Sequence, residues 1–171
     1  MIGICIGIIF LIAIIGFFSK KYKELNEQSD IINECANSLS EALEGRYQVM
    51  EELINFSRGF LDDENRYVVK LVQAKLVPIN ERYFVEKELV TELKRLLLVI
   101  GDRPELKQDR DYDHLRIALA KAEKIIFEQK NDLNRLTKEY NELISSFPTN
   151  IVAIFGGFKK KSGFNSEFVT R

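Results

Sequence analysis

Residues 115–147 read LRIALAKAEKIIFEQKNDLNRLTKEYNELISSF. Within them Leu115, Leu119, Ala122, Ile126, Gln129, Leu133, Leu136, Tyr140, Leu143 and Phe147 fall at alternating steps of four and three. Those steps place all ten side chains on one face of an α-helix, the heptad seam by which helices pair. The predicted helix starts near Asp111 or Asp113, whose carboxylate can cap it. It finishes at Phe147, because Pro148 has no N–H to continue the ladder. At ~1.5 Å per residue it is ~50 Å long.

A seam of that length needs partners, and three stripes upstream supply them. Leu25, Ile32 and Leu39 recur every seven residues, with Cys35 and Ala42 between them. Nothing breaks this helix before Glu44, so it is expected to run as one rod with the N-terminal segment through Leu43, with Gly45 as its stop or corner. From Arg46 on, Val49, Leu53, Phe56, Phe60, Leu61, Val68, Leu71 and Val72 fit a second helix ending before Pro78; Gly59 and Asp62-Asp63-Glu64 weaken its middle. Leu89, Leu93, Leu96, Leu97 and Ile100 form a third, closed by Gly101 and Pro104. No alternating strand pattern appears. The fold class is all-α: an N-terminal transmembrane helix (1–19) continuous with an antiparallel four-helix bundle (20–158), then a basic, disordered tail (159–171).

The membrane assignment rests on the first residues. From Ile2 to Phe18 there is no charge and no proline, and Lys20, Lys21 and Lys23 follow at once. About seventeen residues span ~26 Å, close to the ~30 Å hydrocarbon thickness once flanking side chains snorkel. Eight isoleucines, one leucine and three phenylalanines favour insertion by about 5 kcal/mol together. A basic n-region and a small-residue cleavage site are both missing, so the segment reads as an uncleaved anchor rather than a signal peptide. The lysines on its C-terminal side place the N-terminus outside and the bundle in the cytoplasm of a single-pass cell-membrane protein. Gly3 and Gly7 have the spacing that lets two such helices approach, a possible homodimer contact.

The alternating topology returns Phe147 toward the bilayer, followed by Ile151-Val152-Ala153-Ile154-Phe155-Gly156-Gly157-Phe158-Lys159-Lys160-Lys161. Phe155 and Phe158 with Lys159, Lys160 and Lys161 form a candidate membrane-surface contact. The same apolar run could instead cap the open end of the bundle.

Charge is nearly balanced, with 25 Lys+Arg against 26 Asp+Glu, which speaks against nucleic acid as a partner. The single histidine leaves Asp111-x-x-His114 without companion ligands, so no metal or cofactor is expected. Cys35 lies on an apolar face and reads as a packed thiol with a raised pKa, not a nucleophile. No catalytic residue set is visible.

Several elements resemble the LemA family of bacterial membrane proteins: Leu93-Lys94-Arg95-Leu96-Leu97, Pro104-Glu105-Leu106-Lys107, Glu123, Tyr140-Asn141, Phe147-Pro148 and Gly156-Gly157-Phe158. Upstream, Tyr22, Arg46-Tyr47, Leu53-Ile54, Phe60 and Glu64 resemble it more loosely. The resemblance implies one N-terminal membrane helix and a four-helix domain, and it brings no catalytic residues. For Tyr140 an internal hydrogen bond is the expected role. The expected function is a membrane-anchored interaction or scaffold module whose partners are the lipid bilayer and an unidentified protein. The alternatives are a ligand sensor with a pocket near Tyr140 and Glu123, or an enzyme whose site the sequence does not display.

Overall fold

The structure is a computed structural model of the 171-residue chain and describes residues 2–61 and 63–164; for residues 2–5 and 80 it describes the backbone alone. Every regular element among the described residues is helical. Helix α1 runs Ile2–Phe56 without interruption, ~82 Å at 1.5 Å per residue. The corner expected at Gly45 is absent. Glycine inside a helix costs only about 1 kcal/mol, and Leu43, Tyr47, Met50 and Leu53 bury their side chains across it, which outweighs that cost.

The chain turns instead at 57–63. Ser57 Oγ donates to the Leu53 carbonyl at 2.7 Å, satisfying a group the helix end would leave orphaned. Gly59 then adopts φ +90°, the left-handed region open to glycine. Asp63 caps α2, Glu64–Leu76, accepting from Arg66 N at 3.2 Å. The second helix expected from Arg46 is thus divided: its first part extends α1 and its second part is α2. A 3-10 turn, Ile79–Glu81, leads into α3, Tyr83–Gly101. The four-residue α4, Pro104–Lys107, joins it to α5, Arg110–Ser145. The cap of α5 is Asp109, whose carboxylate accepts from Asp111 N at 2.8 Å, rather than Asp111 or Asp113. A last helix, α6, covers Thr149–Gly156.

Pairings fix the directions. Phe56 stacks on Tyr112 at one end of α1, Cys35 Sγ lies 3.7 Å from the Gln129 carbonyl in its middle, and Tyr22 meets Phe158 near its start, so α1 and α5 are antiparallel. Arg66 reaches Glu92 and Lys70 reaches Glu88, making α2 and α3 an antiparallel hairpin. Lys75 pairs with Glu51 and so ties α2 to α1. The order is up, down, up, down, as expected for the bundle. The core runs along α1 through Leu25, Ile32, Leu39, Leu43 and Met50, opposite Leu119, Ile126, Leu133 and Tyr140 of α5. Among the described residues α3 and α5 do not pack closely on each other.

After α6 the chain does not stay at the foot of the bundle. Gly157 takes φ +72° and the backbone turns to climb beside α1 and α5. Phe158 packs on Tyr22, Lys161 on Ser29 and Asn33, and Phe164 on Tyr83. The tail expected to be disordered from 159 is therefore docked through Phe164; residues 165–171 lie outside the described ones. Among the described residues no helix is long and apolar enough to cross a membrane. Side-chain description begins at Ile6, fourteen residues before Lys20, so the expected span over 1–19 and the Gly3 contact fall partly outside it.

Because Gly45 is helical with nothing near its Cβ position, Gly45→Ala should stabilise the protein by about 1 kcal/mol. Gly59→Ala, forced to a positive φ, should cost about 1–2 kcal/mol. Chemical unfolding followed by circular dichroism distinguishes them; a loss at Gly45 would mean that α1 bends there.

Candidate functional site

Arg46 continues the heptad of Leu25, Ile32 and Leu39, yet it carries a charge and is only 3% exposed. Taking a guanidinium out of water costs several kcal/mol unless carboxylates meet it. Two do. Glu86 of α3 forms a close ion pair with Arg46, and Glu123 of α5 approaches its Nη1 at 3.3 Å. Tyr47 donates its hydroxyl to Glu86. Two guanidiniums stand near the Tyr47 ring, Arg46 at 5.8 Å and Arg82 at 5.9 Å from its centroid. Burial pushes the Tyr47 hydroxyl above its ordinary pKa, with Arg82 and Arg46 opposing. Arg82 itself donates to the Val77 carbonyl at 2.7 Å.

This cluster floors a groove of about 450 Å³ between α3 and α5. Leu43 and Ile126 share the floor, Tyr83, Val90 and Phe127 form the walls, and Lys87, Lys94 and Lys130 stand at the rim. Phe164 closes the end nearer the foot. Its ring is 6% exposed, set edge-on to Tyr83 at 6.3 Å, with Lys130 Nζ 5.7 Å from its centroid. Two asparagines of α5 hold the strap that delivers it. Asn141 donates Nδ2 to the Lys161 carbonyl at 2.8 Å and accepts Lys161 N at 2.9 Å. Asn134 Oδ1 accepts Phe164 N at 2.8 Å. A side chain on Gly163 would collide with Asn134 Oδ1.

The residues singled out from sequence are spread along the fold. Glu123 lies in the groove and Asn141 on the strap. Pro104 opens α4 and Leu106 is buried beneath it, so both shape the α3–α5 connection. Tyr140 is buried about 25 Å down α5 from Glu123, so no single pocket joins the two. What meets Tyr140 is the Lys161 ammonium, 6.0 Å from its ring centroid; among the described residues its hydroxyl forms no hydrogen bond of the expected kind. Phe147 is exposed beside Pro148, which precedes α6.

Of the membrane-contact candidates, Lys161 must be corrected. Its ammonium donates to the Ser29 carbonyl at 3.1 Å and to Asn33 Oδ1 at 2.7 Å, and burial lowers its pKa. Phe158 is half-buried against Tyr22. Phe155 is 82% exposed, and Lys159 and Lys160 face solvent. Cys35 has a thiol pKa raised by burial and then by Asp132. His114 and Asp111 are exposed, and among the described residues no group of three His, Cys, Asp or Glu side chains could hold a metal ion. Glu86 and Phe164 were not legible as site residues. Arg46 was not either, although its number follows 25, 32 and 39 by sevens, and that phase is the signal that could have found it.

Taken together, a long first helix, a helical hairpin, a second long helix and a strapped C-terminal segment define an antiparallel helical bundle with an open groove between α3 and α5. The model of the LemA family matches residues 36–170, and the chain belongs to that family. No curated protein matches the chain.

Arg46→Met leaves Glu86 buried without its cation and should cost about 3–5 kcal/mol. Adding Glu86→Met should recover much of that loss in urea unfolding. If the single and double variants were equally unstable, the pair would not be what holds the cluster.

The Tyr140 hydroxyl has its pKa raised by burial, so the folded state keeps a proton that the unfolded chain releases above about pH 10. The stability it contributes is complete below that pH and is lost above it. Lys161, shifted down, acts in the opposite sense, so the measurement is the melting-temperature difference between wild type and Tyr140→Phe. That difference should move against wild type above pH 10 and stay level between pH 7 and 9.

Proposed function

We propose that this protein is a membrane-anchored helical interaction module, with the start of α1 in the bilayer and α6 at its surface. The carrying observation is the exposure of α1 over Ile6–Phe17. Ile6, Ile9, Phe10, Leu11, Ile12 and Ile15 are all more than half exposed, although steps of 100° spread them round the whole helix. An all-round apolar helix in water has nothing to pack against, whereas lipid supplies the partner. The helix backbone extends back to Ile2, which adds the length a span needs.

The position of α6 supports the same reading. It packs on α1, and Val152 and Gly156 line a recess with Phe18, Ser19 and Tyr22, where the apolar segment meets Lys20 and Lys21. Its outer side chains Ile154 and Phe155, with Phe147 before it, are the most exposed large apolar groups in this part of the chain. Aromatic and aliphatic side chains at that level suit the headgroup boundary. Lys20, Lys159 and Lys160 add cationic charge near an anionic surface. The bundle beyond carries binding surfaces rather than reaction chemistry.

Ile9→Lys/Ile12→Lys sets two charges near the middle of the span, a penalty of roughly 5–7 kcal/mol. Alkaline carbonate extraction should leave the wild-type protein in the membrane pellet and release this variant. Wild-type protein appearing in the carbonate supernatant would refute the anchor.

A further inference from the structure

We propose that the α3/α5 groove is a docking site for an extended acidic peptide segment bearing an aromatic residue. Three independent observations carry this. The first is charge. Four cations line the groove, Arg46, Lys87, Lys94 and Lys130, against Glu86 and Glu123, and both carboxylates already face Arg46. Among the described residues Lys87 and Lys94 have no carboxylate within ion-pair reach, so the rim is a cationic surface without a counter-charge, and an acidic occupant complements it.

The second is an internal example of the binding mode. The segment from Phe158 to Phe164 has no helical backbone, lies against α5, and seats an aromatic ring at the groove's lower end between Tyr83 and Lys130. The groove therefore accepts a phenyl ring from an extended chain, under a cation that favours the ring face. The third is what lies ahead on the same track. The strap is gripped by Asn141 and then Asn134, one heptad apart. One heptad further on the same face of α5 stands Phe127, 66% exposed on the groove wall. An extended segment continuing in this line passes over an aromatic with no ring partner among the described residues, in a groove that Lys87 and Lys94 also line.

The test uses the full chain in nanodiscs of neutral phosphatidylcholine and a fluorescein-labelled octapeptide of alternating Glu and Phe, followed by fluorescence anisotropy. Saturable binding above the level of empty nanodiscs is expected. Lys87→Glu/Lys94→Glu should raise Kd at least tenfold, and a peptide of alternating Lys and Phe should not bind. Phe127→Ser, at an exposed position, should also weaken binding without lowering the melting temperature, and it decides the matter if the charge-reversed variant fails to fold. Should removal of residues 165–171 tighten binding, the chain's own Glu167-Phe168 competes with the same chemistry, and the proposal stands. Equal binding of acidic and basic peptides, equal binding by wild type and Phe127→Ser, or no binding by either the full or the shortened chain overturns it.

Discussion

A guanidinium placed on a leucine seam constrains everything that packs around it. Arg46 is carried by α1, but its counter-charges come from elsewhere: Glu86 from α3 and Glu123 from α5. Withdrawal of α3 would leave Arg46 without its buried counter-charge, which costs several kcal/mol; Glu123, 42% exposed, adds a weaker, solvent-screened contact from α5. The two carboxylates reach Arg46 from either side, so α3 and α5 lean on the same group instead of on each other. The groove is the space that this arrangement leaves.

Arg46 also fixes register. A seam of leucines alone tolerates a slip of one heptad, because each apolar side chain meets another. On α5 the residues one heptad either side of Glu123 are Arg116 and Lys130. A slip in either direction would set a cation against the buried guanidinium. Ionic pairing here contributes little net stability compared with a leucine, but it penalises the nearest wrong alignments of two helices that are otherwise close to repetitive.

Periodicity made most of this architecture readable, and its failures are physical. Along α5, Leu119, Ile126, Leu133 and Tyr140 are buried at every seventh position and their d-type neighbours are half-buried, as a seam requires. On α1 the repeat continues through 46 and 53 without a change of phase, a stronger signal than one glycine. Gly45 carries no positive φ and Gly59 does, but residue type alone gives no conformation, so the wrong glycine reads as the corner. The strap has no period. Its order comes from two asparagine side chains on another helix and one phenylalanine ring, so composition suggests disorder where long-range bonds impose structure. Glu86 looks like any surface glutamate until α3 is placed against Arg46.

Strap and helix fit by a coincidence of spacings. From Asn141 to Asn134 is one heptad, which advances ~10.5 Å along α5. From Lys161 to Phe164, the residues those asparagines hold, is three residues, which when extended cover at most ~11 Å. The chain therefore runs nearly taut between its two grips, with no length to spare for a bulge. Below, the strap is tied to α1 by side chains: the Phe158 ring packs on Tyr22 and the Lys161 ammonium bonds to the Ser29 carbonyl seven residues along α1. A segment drawn straight between fixed points must keep its backbone in the β or polyproline region. Gly163 is needed for close approach to Asn134 rather than for a turn. Because the track repeats every heptad, an extended chain stays in step with the helix surface beside it, and that match is what lets a stretch without secondary structure of its own hold a unique position against α5.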